Sequence, residues 1–388
     1  MQRNRIKEVL YSDGSNKCFF CKKNKMNKPE TLLGMDVFSG AGGLSLGAEM
    51  AGVDVKYAVE VWPSAADTYR RNHPNAIVIN DDIIKIHPRN IIHSDEHVFI
   101  IMGGPPCQGF SMSNQRTAEN GRTMENPKNQ LFRQFVRFVD ELKPDWFLFE
   151  NVAGIINMEK GDTIRHIAKS FEELGYKITE PTILWANDYG VPQRRNRCFI
   201  VGNCVGIDFK FPESMGSNVT VADAIDDLPE LKTGENIPQA PYRKNLSECS
   251  DYAKLMRGKS ICSIQNEVSL NNDLVIERYK YIRQGHNWRD IPEELMMNYK
   301  DKTRCHSGIY KRLKSDEPSV VISNYRKMML IHPTQHRGLS VREAARLQSF
   351  PDDFFFEGPI SHIQQQIGNA VPPLLAKAIF KQILSYYE

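Results

Sequence analysis

The peptide GGPPCQG at residues 103–109 follows an apolar run from Val98 to Met102. A short apolar run bounded by glycine and proline is typical of a buried strand in an open α/β sheet. Such sheets carry their chemistry just beyond the carboxyl ends of the strands. The prolines fix the backbone direction, and the glycines permit close approach of another molecule. The pattern predicts a cysteine nucleophile, Cys107, at the sheet edge; a stiff turn with a buried thiol is the alternative.

Composition is that of an ordinary globular protein. The 388 residues are 41% hydrophobic and 25% charged, which is enough for one large core and a second domain. The sequence contains no apolar stretch near the roughly 18 residues that cross a bilayer, and its start lacks the apolar stretch of a secretory signal. We therefore expect a cytoplasmic protein without a membrane partner.

Eight cysteines are scattered without a repeating spacing, which in a chain of this length does not describe a disulfide framework. Cys18 and Cys21 have the spacing of half a zinc site. The sequence has no second close Cys or His pair at the usual distance. We expect reduced thiols and no bound metal.

Charge is unevenly distributed, although the net charge is only +3. Residues 1–30 hold eight Lys/Arg against three Asp/Glu, which fits either a solvated arm or a phosphate-contacting arm. Residues 302–327 hold seven Lys/Arg against two Asp/Glu, interleaved with Tyr310, Tyr325 and His306. Basic side chains mixed with rings are typical of a nucleic-acid-binding face, and a solvated loop is the alternative.

A strand, a glycine turn and a helix follow one another near residue 40. The strand covers 35–38, the turn has the sequence SGAGG at 39–43, and the helical pattern runs from Leu44 to Met50. An alternating strand over 53–59 ends at Glu60, where nucleoside-binding folds place the acceptor of the ribose hydroxyls. The turn lacks the Gly-x-Gly-x-x-Gly register of a pyrophosphate binder, which favours a nucleoside without phosphates.

Two further strands carry charged side chains at their ends. The strand at 146–149 runs into Glu150, and a carboxylate beside a buried strand is costly unless it is used or paired. Arg195 and Arg197 precede the strand at 198–201. If the segment is extended, the two side chains point to the same side of the strand, so both could face an anion. Glu150 is therefore a second catalytic candidate.

Six ordered blocks resemble the DNA cytosine-5 methyltransferases closely. They are DVFSGAGG at 36–43, GPPCQGFS at 104–111, ENV at 150–152, QRRNR at 193–197, REAARLQSFP at 342–351 and QIGNAVP at 366–372. The resemblance covers roughly residues 34–205 and 335–385. It implies an α/β protein with the Rossmann-like S-adenosylmethionine-dependent methyltransferase fold and a smaller inserted target-recognition domain.

On this basis we divide the chain into four parts. They are a basic amino-terminal arm at 1–30, a catalytic and cofactor-binding domain at 31–205, a target-recognition domain at 206–334 and a carboxyl-terminal segment at 335–388 that completes the catalytic domain. Leu375, Ile379 and Ile383 recur every four residues after Pro372. This spacing predicts a last helix that docks on the sheet beside the first block.

The resemblance implies covalent catalysis at cytosine. Cys107 would add as a thiolate to carbon 6, which makes carbon 5 able to attack an electrophilic methyl group. A protonated Glu150 would hydrogen-bond ring nitrogen 3, and a buried carboxyl with a raised pKa suits this role. Arg197 would hold the oxygen at position 2, and Arg195 would contact a phosphate or support the site. These four residues form the predicted catalytic set.

S-adenosylmethionine is the implied methyl donor, with S-adenosylhomocysteine as its product. The resemblance assigns Phe38 to the adenine ring and Glu60 to the ribose hydroxyls. It assigns Asp82 to the exocyclic amine and Asn369 to the amino acid end. The full predicted cofactor set is Phe38, Ser39, Gly40, Gly42, Gly43, Leu44, Glu60, Val61, Trp62, Asp82, Ile83, Gly104, Pro106, Asn369 and Ala370.

One departure from the family concerns the side chain that covers the adenine. Some relatives have a tryptophan directly after the acidic residue, whereas here Val61 follows Glu60 and Trp62 comes one position later. The sequence leaves open which of the two covers the ring.

Duplex DNA is the implied partner. Attack at carbon 6 requires the cytosine to leave the stack. The polar, glycine-containing loop at about 110–126 would then close over the flipped base. Sequence reading would fall to residues 206–334, where Val321 stands in place of the family's usual threonine.

Two alternatives remain open at this point: a methyltransferase acting on transfer RNA, and a non-catalytic DNA-binding protein. The long inserted segment with its own basic stretch favours duplex DNA over the first. The presence of Cys107, Glu150 and Arg197 argues against the second. We expect a monomeric bacterial restriction-modification methylase; whether a cognate restriction endonuclease acts beside it is open.

Overall fold

The computed structural model describes residues 31–106, 131–216, 218–298 and 308–387. The predicted arm at 1–30, Cys107 with the loop after it, and part of the basic stretch at 302–327 lie outside these ranges. Within them the predicted α/β fold is confirmed, because a mostly parallel sheet is covered on both faces. Its described helices include none with the length and apolarity needed to span a bilayer.

An eight-stranded sheet forms the centre of the molecule. Its strands are β1 (Leu33–Val37), β2 (Asp54–Val59), β3 (Ile77–Ile79), β4 (Ile100–Gly103), β5 (Trp146–Val152), β6 (Lys177–Ile178), β7 (Thr182–Trp185) and β8 (Asn196–Asn203). The spatial order is β3-β2-β1-β4-β5-β8, and both β6 and β7 pair with the outer side of β8. The first five strands are parallel, and β8 runs antiparallel to β5.

The α-helices of the described ranges connect these strands and build the second half of the molecule. They are α1 (Gly43–Ala51), α2 (Pro63–Asn72), α3 (Phe132–Leu142), α4 (Asp162–Glu173), α5 (Val221–Ile225), α6 (Asp251–Arg257), α7 (Asp273–Tyr281), α8 (Tyr325–Met328), α9 (Val341–Leu347), α10 (Ile360–Asn369) and α11 (Pro373–Leu384). A small antiparallel sheet pairs β9 (Asn236–Ala240) with β10 (Ser263–Glu267).

Two hydrophobic clusters cover the faces of the large sheet, because successive residues of a strand face opposite sides. In β5, Trp146 and Leu148 join the cluster that includes side chains of α1 and α11. Phe147 and Phe149 join the cluster that includes side chains of α3 and α4. A strand buried on both faces reads as a continuous apolar run, as the sequence does at β4 and β5.

The carboxyl-terminal helix docks as predicted. Leu375, Ile379 and Ile383 of α11 are completely buried in the cluster shared with α1. Gly47 allows the two helices to approach closely, since a Cβ atom there would lie 2.5 Å from the carbonyl oxygen of Pro373.

The middle of the chain has its own small core. Val275, Tyr279, Ile282, Tyr310 and Ile331 belong to one cluster that is separate from the clusters of the large sheet. Other parts of the same region pack elsewhere: side chains of α5 and α6 share a cluster with α9 and α10. The predicted domain boundary at 334 therefore runs through a shared core, and the four-part division stays a prediction.

A buried ionic network joins the two sides of that boundary. The guanidinium of Arg346 in α9 lies 2.6 Å from a carboxylate oxygen of Asp227 and 2.6 Å from one of Asp352. Arg257 of α6 pairs with the same Asp227 at 2.6 Å. All four side chains are nearly inaccessible to solvent. Removal of one partner would leave a buried charge uncompensated, so this network fixes α5 and α6 against α9.

The prediction that residues 302–327 form an exposed face of rings and cations is wrong for its two tyrosines. Tyr310 and Tyr325 are buried in two different clusters. Arg312 is buried as well and donates to the carbonyl oxygens of Tyr279 and Ile282, because an interior guanidinium needs acceptors for its N–H groups. His306 lies outside the described residues.

The close contact between α1 and α11 gives a test of the packing. Gly47→Ala would force Cβ against the backbone of Pro373, and overpacking of this kind costs about 1–3 kcal/mol. We expect a lower midpoint in thermal unfolding. Gly338→Ala is the control, because the nearest atom to a Cβ there, the Leu330 carbonyl oxygen, is 3.7 Å away. Equal stability of the two variants would contradict the packing described.

Candidate active site

The predicted site residues meet at one edge of the large sheet. The carboxyl ends of β1, β2, β4 and β5 point to this edge, and β8 enters the sheet there because it is antiparallel to β5. The first four sequence blocks stand at the ends of β1, β4 and β5 and before β8. Parallel α/β sheets bind ligands at this edge, here called the carboxyl edge.

Glu150 and Arg197 form a buried ion pair at the carboxyl edge. The Nε atom of Arg197 lies 2.8 Å from Oε1 of Glu150, and their side chains are 12% and 11% exposed. Burial raises the pKa of the Glu150 carboxyl, against the opposing positive charges of Arg197 and Arg195. The arrangement can hold a proton on a carboxyl group beside a fixed cation.

Gly104 brings the peptide that leads to Cys107 against this pair. A Cβ atom at Gly104 would collide with Oε2 of Glu150, so a larger residue there would push that carboxylate from its present position. The side-chain amide of Asn151 donates to the carbonyl oxygen of Pro105 at 3.2 Å. Pro106 is exposed, and Cys107 itself lies outside the described residues.

Arg195 is placed differently from one of its two predicted roles. Its side chain is completely buried, and its two terminal nitrogens donate to the carbonyl oxygens of Ile322, at 2.9 Å, and Gly368, at 2.7 Å. A guanidinium enclosed in this way cannot reach a phosphate of a bound nucleic acid. The structure therefore excludes the phosphate contact and supports the other role, support of the site.

Gln193 also binds Ile322, and the sequence analysis assigned it no role. Its side-chain oxygen accepts from the backbone N–H of Ile322 at 2.8 Å, and its amide donates to the carbonyl oxygen of Leu347 at 3.1 Å. Backbone bonds from Ser319 to Pro192 and from Arg194 to Ser319 extend the contact. Residues 319–322, here called the clamped segment, are thus fixed beside the carboxyl edge. Val321 within it is 37% exposed.

The glycine turn after β1 contains several residues with left-handed backbone angles. Phe38 has a left-handed φ of 63°, which is unfavourable for a residue with a side chain and marks candidate functional sites. Gly40 and Gly42 also have positive φ angles, 55° and 90°. The N–H of Ser39 donates to the carbonyl oxygen of Val59 at 3.1 Å, which ties the turn to β2.

Glu60 connects the glycine turn to the segment after β2. Its two carboxylate oxygens accept from the backbone N–H groups of Gly40 and Trp62, each at 2.7 Å. Each oxygen retains a further lone pair for another donor. Burial raises the pKa of Glu60, and the backbone hydrogen bonds oppose that shift.

The last sequence block is brought to the same turn. A Cβ atom at Gly43 would lie 2.5 Å from the carbonyl oxygen of Val371 and 3.3 Å from Cβ of Ala370. Asn369 is exposed beside it, and its side-chain oxygen accepts from Gln365 at 2.6 Å. These contacts bring the last sequence block against the glycine turn, although the two are far apart in the sequence.

The remaining predicted cofactor residues differ in exposure. Leu44 and Ile83 are buried in the two core clusters, which leaves little of either side chain for a ligand. Asp82 is partly exposed and accepts from the N–H of Ile84 at 3.0 Å. Val61 is 63% exposed, whereas the Trp62 ring packs 4.9 Å from the ring of His362. Their roles toward a nucleoside stay predictions.

Asp36 is a buried carboxyl group that the sequence analysis quoted in its first block without assigning it a role. Ser45 donates to its Oδ2 at 2.5 Å, and Tyr69 donates to Ser45 at 2.8 Å. Burial raises the pKa of Asp36 to about 8. Its Oδ1 and the hydroxyl of Ser39 are buried without a hydrogen-bond partner among the described residues. Both atoms belong to β1 or the glycine turn, so this part of the sheet edge holds two buried polar atoms without a partner.

Comparison with known proteins agrees with this geometry. A sequence model of the family described as "C-5 cytosine-specific DNA methylase" matches residues 33–385. The chain is 38% identical to the type II methyltransferase M1.HphI of Haemophilus parahaemolyticus, over 91% of this chain and 87% of the relative. It is 35% identical to the type II methyltransferase M.DdeI of Desulfomicrobium norvegicum, over 91% of this chain and 89% of the relative.

Solved structures show the same architecture. A protein described as a DNA modification methyltransferase encoded within an Escherichia coli prophage superposes with a TM-score of 0.74 at 29% identity, covering 92% of this chain and 99% of the other. The Entamoeba histolytica methyltransferase EhMeth superposes with a TM-score of 0.57 at 12% identity, over 93% of this chain and all of the other, which supports the fold alone. The family match and the type II relatives together establish that this chain belongs to the C-5 cytosine-specific DNA methylase family and is a DNA (cytosine-5)-methyltransferase.

Proposed function

We propose that this enzyme transfers a methyl group from S-adenosylmethionine to carbon 5 of a flipped-out cytosine in a specific duplex DNA sequence, through a covalent adduct between Cys107 and carbon 6. One observation carries the proposal: the buried Glu150–Arg197 pair touches the peptide that leads to Cys107, at the same edge as the pocket around Glu60.

The residues of the carboxyl edge suit activation of a cytosine ring. The Cys107 thiolate adds to carbon 6, and the electron pair of the double bond between carbons 5 and 6 moves toward carbon 5. Negative charge would otherwise collect on the ring, so a protonated Glu150 donates to nitrogen 3. Arg197, fixed by Glu150 at 2.8 Å, presents its remaining N–H groups to the oxygen at position 2.

Restoration of the ring reverses the addition. After carbon 5 carries the methyl group, it loses its proton to a base, and the carbon–sulfur bond breaks so that the electron pair returns to Cys107. The described side chains do not identify that base, and water can serve. Arg195 contributes as a positioning residue, because its two carbonyl acceptors hold the clamped segment and the end of α10 around Glu150.

The pocket around the glycine turn fits S-adenosylmethionine, which supplies a methyl group activated by its sulfonium when bound. Phe38 would stack on the adenine, Glu60 would accept the ribose hydroxyls on its remaining lone pairs, and Asn369 would hold the amino acid end. The fit rests on two observations. Apart from Gly40 itself and its two chain neighbours, no described residue has an atom within 4 Å of a Cβ built at Gly40, so space remains at the turn. The unpartnered oxygens of Asp36 and Ser39 can accept a donor or bind water there.

Duplex DNA is the proposed substrate, with the target base flipped at a cost of a few kcal/mol. The description of the family supports DNA over transfer RNA, and the names of the type II relatives support a place in a restriction-modification system. Sequence reading is proposed for residues 206–334, and closure over the base for the loop at about 110–126, which lies outside the described residues. A cytoplasmic bacterial monomer, with any cognate endonuclease acting separately, completes the proposal.

Cys107 can be tested by trapping the adduct. A duplex of diverse sequence in which 5-fluorocytosine replaces cytosine should form a complex with the wild-type protein and S-adenosylmethionine that survives denaturation, because fluorine at carbon 5 cannot leave as a proton does. Cys107→Ser should form no such complex and should still bind the duplex. Cys262→Ser, a partly exposed cysteine of the middle region, is the control. An adduct in Cys107→Ser would remove that residue from the mechanism.

Glu150 can be tested through the rate of a single turnover. Glu150→Gln should slow methyl transfer by at least about 10²-fold, the usual effect of losing a positioned acid. Since burial raises the pKa of Glu150, the wild-type rate should fall as pH rises through that pKa, because the protonated form is lost. The variant should lack this decline. A near-normal rate, or an unchanged pH profile, would reassign Glu150.

A further inference from the structure

Arg194 is the arginine of the QRRNR block that reaches solvent. Its side chain is 51% exposed, whereas Gln193 and Arg195 on either side are completely buried. The backbone N–H of Arg194 donates to the carbonyl oxygen of Ser319 at 2.8 Å. A fixed main chain thus presents an exposed guanidinium to the solvent at the carboxyl edge.

In the protein without DNA, the guanidinium of Arg194 forms an ion pair with a carboxylate. An Nη2 atom of Arg194 lies 3.0 Å from Oε2 of Glu317, which is 35% exposed. The other oxygen of Glu317 accepts from Lys314 at 2.5 Å. Glu317 is therefore shared between two cations, and its two oxygens resemble those of a phosphate in the geometry that they offer to a guanidinium.

The position of Arg194 relative to the ion pair determines what can meet it. Arg194 lies three residues before Arg197 and precedes β8, which enters the sheet at the carboxyl edge. A base held by Glu150 and Arg197 stays attached to its sugar, so its flanking phosphates must lie outside that edge. Exposed cations next to the entrance are the groups that such phosphates would meet.

We propose that Arg194 binds a backbone phosphate of the DNA beside the target cytosine, and that Glu317 holds its guanidinium until DNA replaces the carboxylate. The inference rests on the proposed function, because it needs a flipped base at Glu150. Exposed ion pairs are weak, so a phosphate can displace Glu317. The phosphate role that burial excludes for Arg195 thus passes to its neighbour.

A matched pair elsewhere on the surface provides the control. Arg71 lies 2.6 Å from Glu357, and the two side chains are 51% and 35% exposed, as for Arg194 and Glu317. Arg71 stands in the last turn of α2, which starts beside Glu60 and runs away from the carboxyl edge. Because the two pairs are equally exposed but lie in different places, comparing them distinguishes a phosphate contact from the general effect of losing a surface charge.

The test measures binding of a duplex that the wild-type protein methylates, over a series of salt concentrations. Arg194→Gln should weaken binding about tenfold at low salt, as for the loss of a charged hydrogen bond. It should also reduce the slope of log affinity against log salt by about 1. Glu317→Gln should tighten binding by about two- to fivefold, the scale of an exposed ion pair, and should give a smaller gain when Arg194 is already Gln.

The control variants Arg71→Gln and Glu357→Gln should change neither affinity nor slope. Arg194→Lys should restore the slope, because the charge is kept, whereas a purely structural requirement for the guanidinium would not be met by lysine. The inference would be overturned, with the proposed function left intact, by either of two results. One is the same slope of log affinity against log salt for Arg194→Gln and Arg71→Gln. The other is weaker DNA binding by Glu317→Gln than by the wild-type protein. If the wild-type protein methylates no duplex, the proposed function fails first and the inference fails with it.

Discussion

Burial of Glu150 against Arg197 places two opposite charges where water is scarce, and the carboxyl edge is built around them. Desolvation disfavours both charges, so each needs the other, and removal of one would leave an uncompensated charge. A side chain at Gly104 would collide with the carboxylate and displace it from its position beside Arg197. The raised pKa of Glu150 follows from the same burial, so the feature that demands the pair also prepares its chemistry.

The clamped segment extends this dependence beyond the sheet. Arg195 donates to Ile322 on one side and to Gly368 on the other, and Gln193 adds a second bond to Ile322. A Cβ atom at Gly368 would collide with the carbonyl oxygen of Ser323, so α10 ends in direct contact with the residue that follows that segment. The region proposed to read DNA and the segment proposed to close the cofactor pocket thus meet behind the catalytic pair. Displacement of either would be transmitted to Glu150 through completely buried groups.

Local patterns in the sequence predicted the sheet edge well. The strand ending at Glu60, the glycine turn and the strand ending at Glu150 depend on short-range periodicity and turn chemistry, which a sequence displays directly. The burial of Arg195 depends on Ile322 and Gly368, which are more than a hundred residues away, and spacing alone does not place them. Tyr310 and Tyr325 were assigned to the surface for the same reason. A tyrosine among basic residues gives the same sequence pattern whether its ring faces solvent or a small core.

Incubation of the purified protein with methyl-labelled S-adenosylmethionine and a mixture of diverse duplex DNA and transfer RNA tests the central claim most directly. The account predicts label in the DNA alone, as 5-methylcytosine. Label in transfer RNA alone would retain Cys107 but contradict the proposed substrate. Label in neither polymer, from a preparation shown to bind S-adenosylmethionine and DNA that samples all short sequences, would contradict the catalytic role assigned to the carboxyl edge.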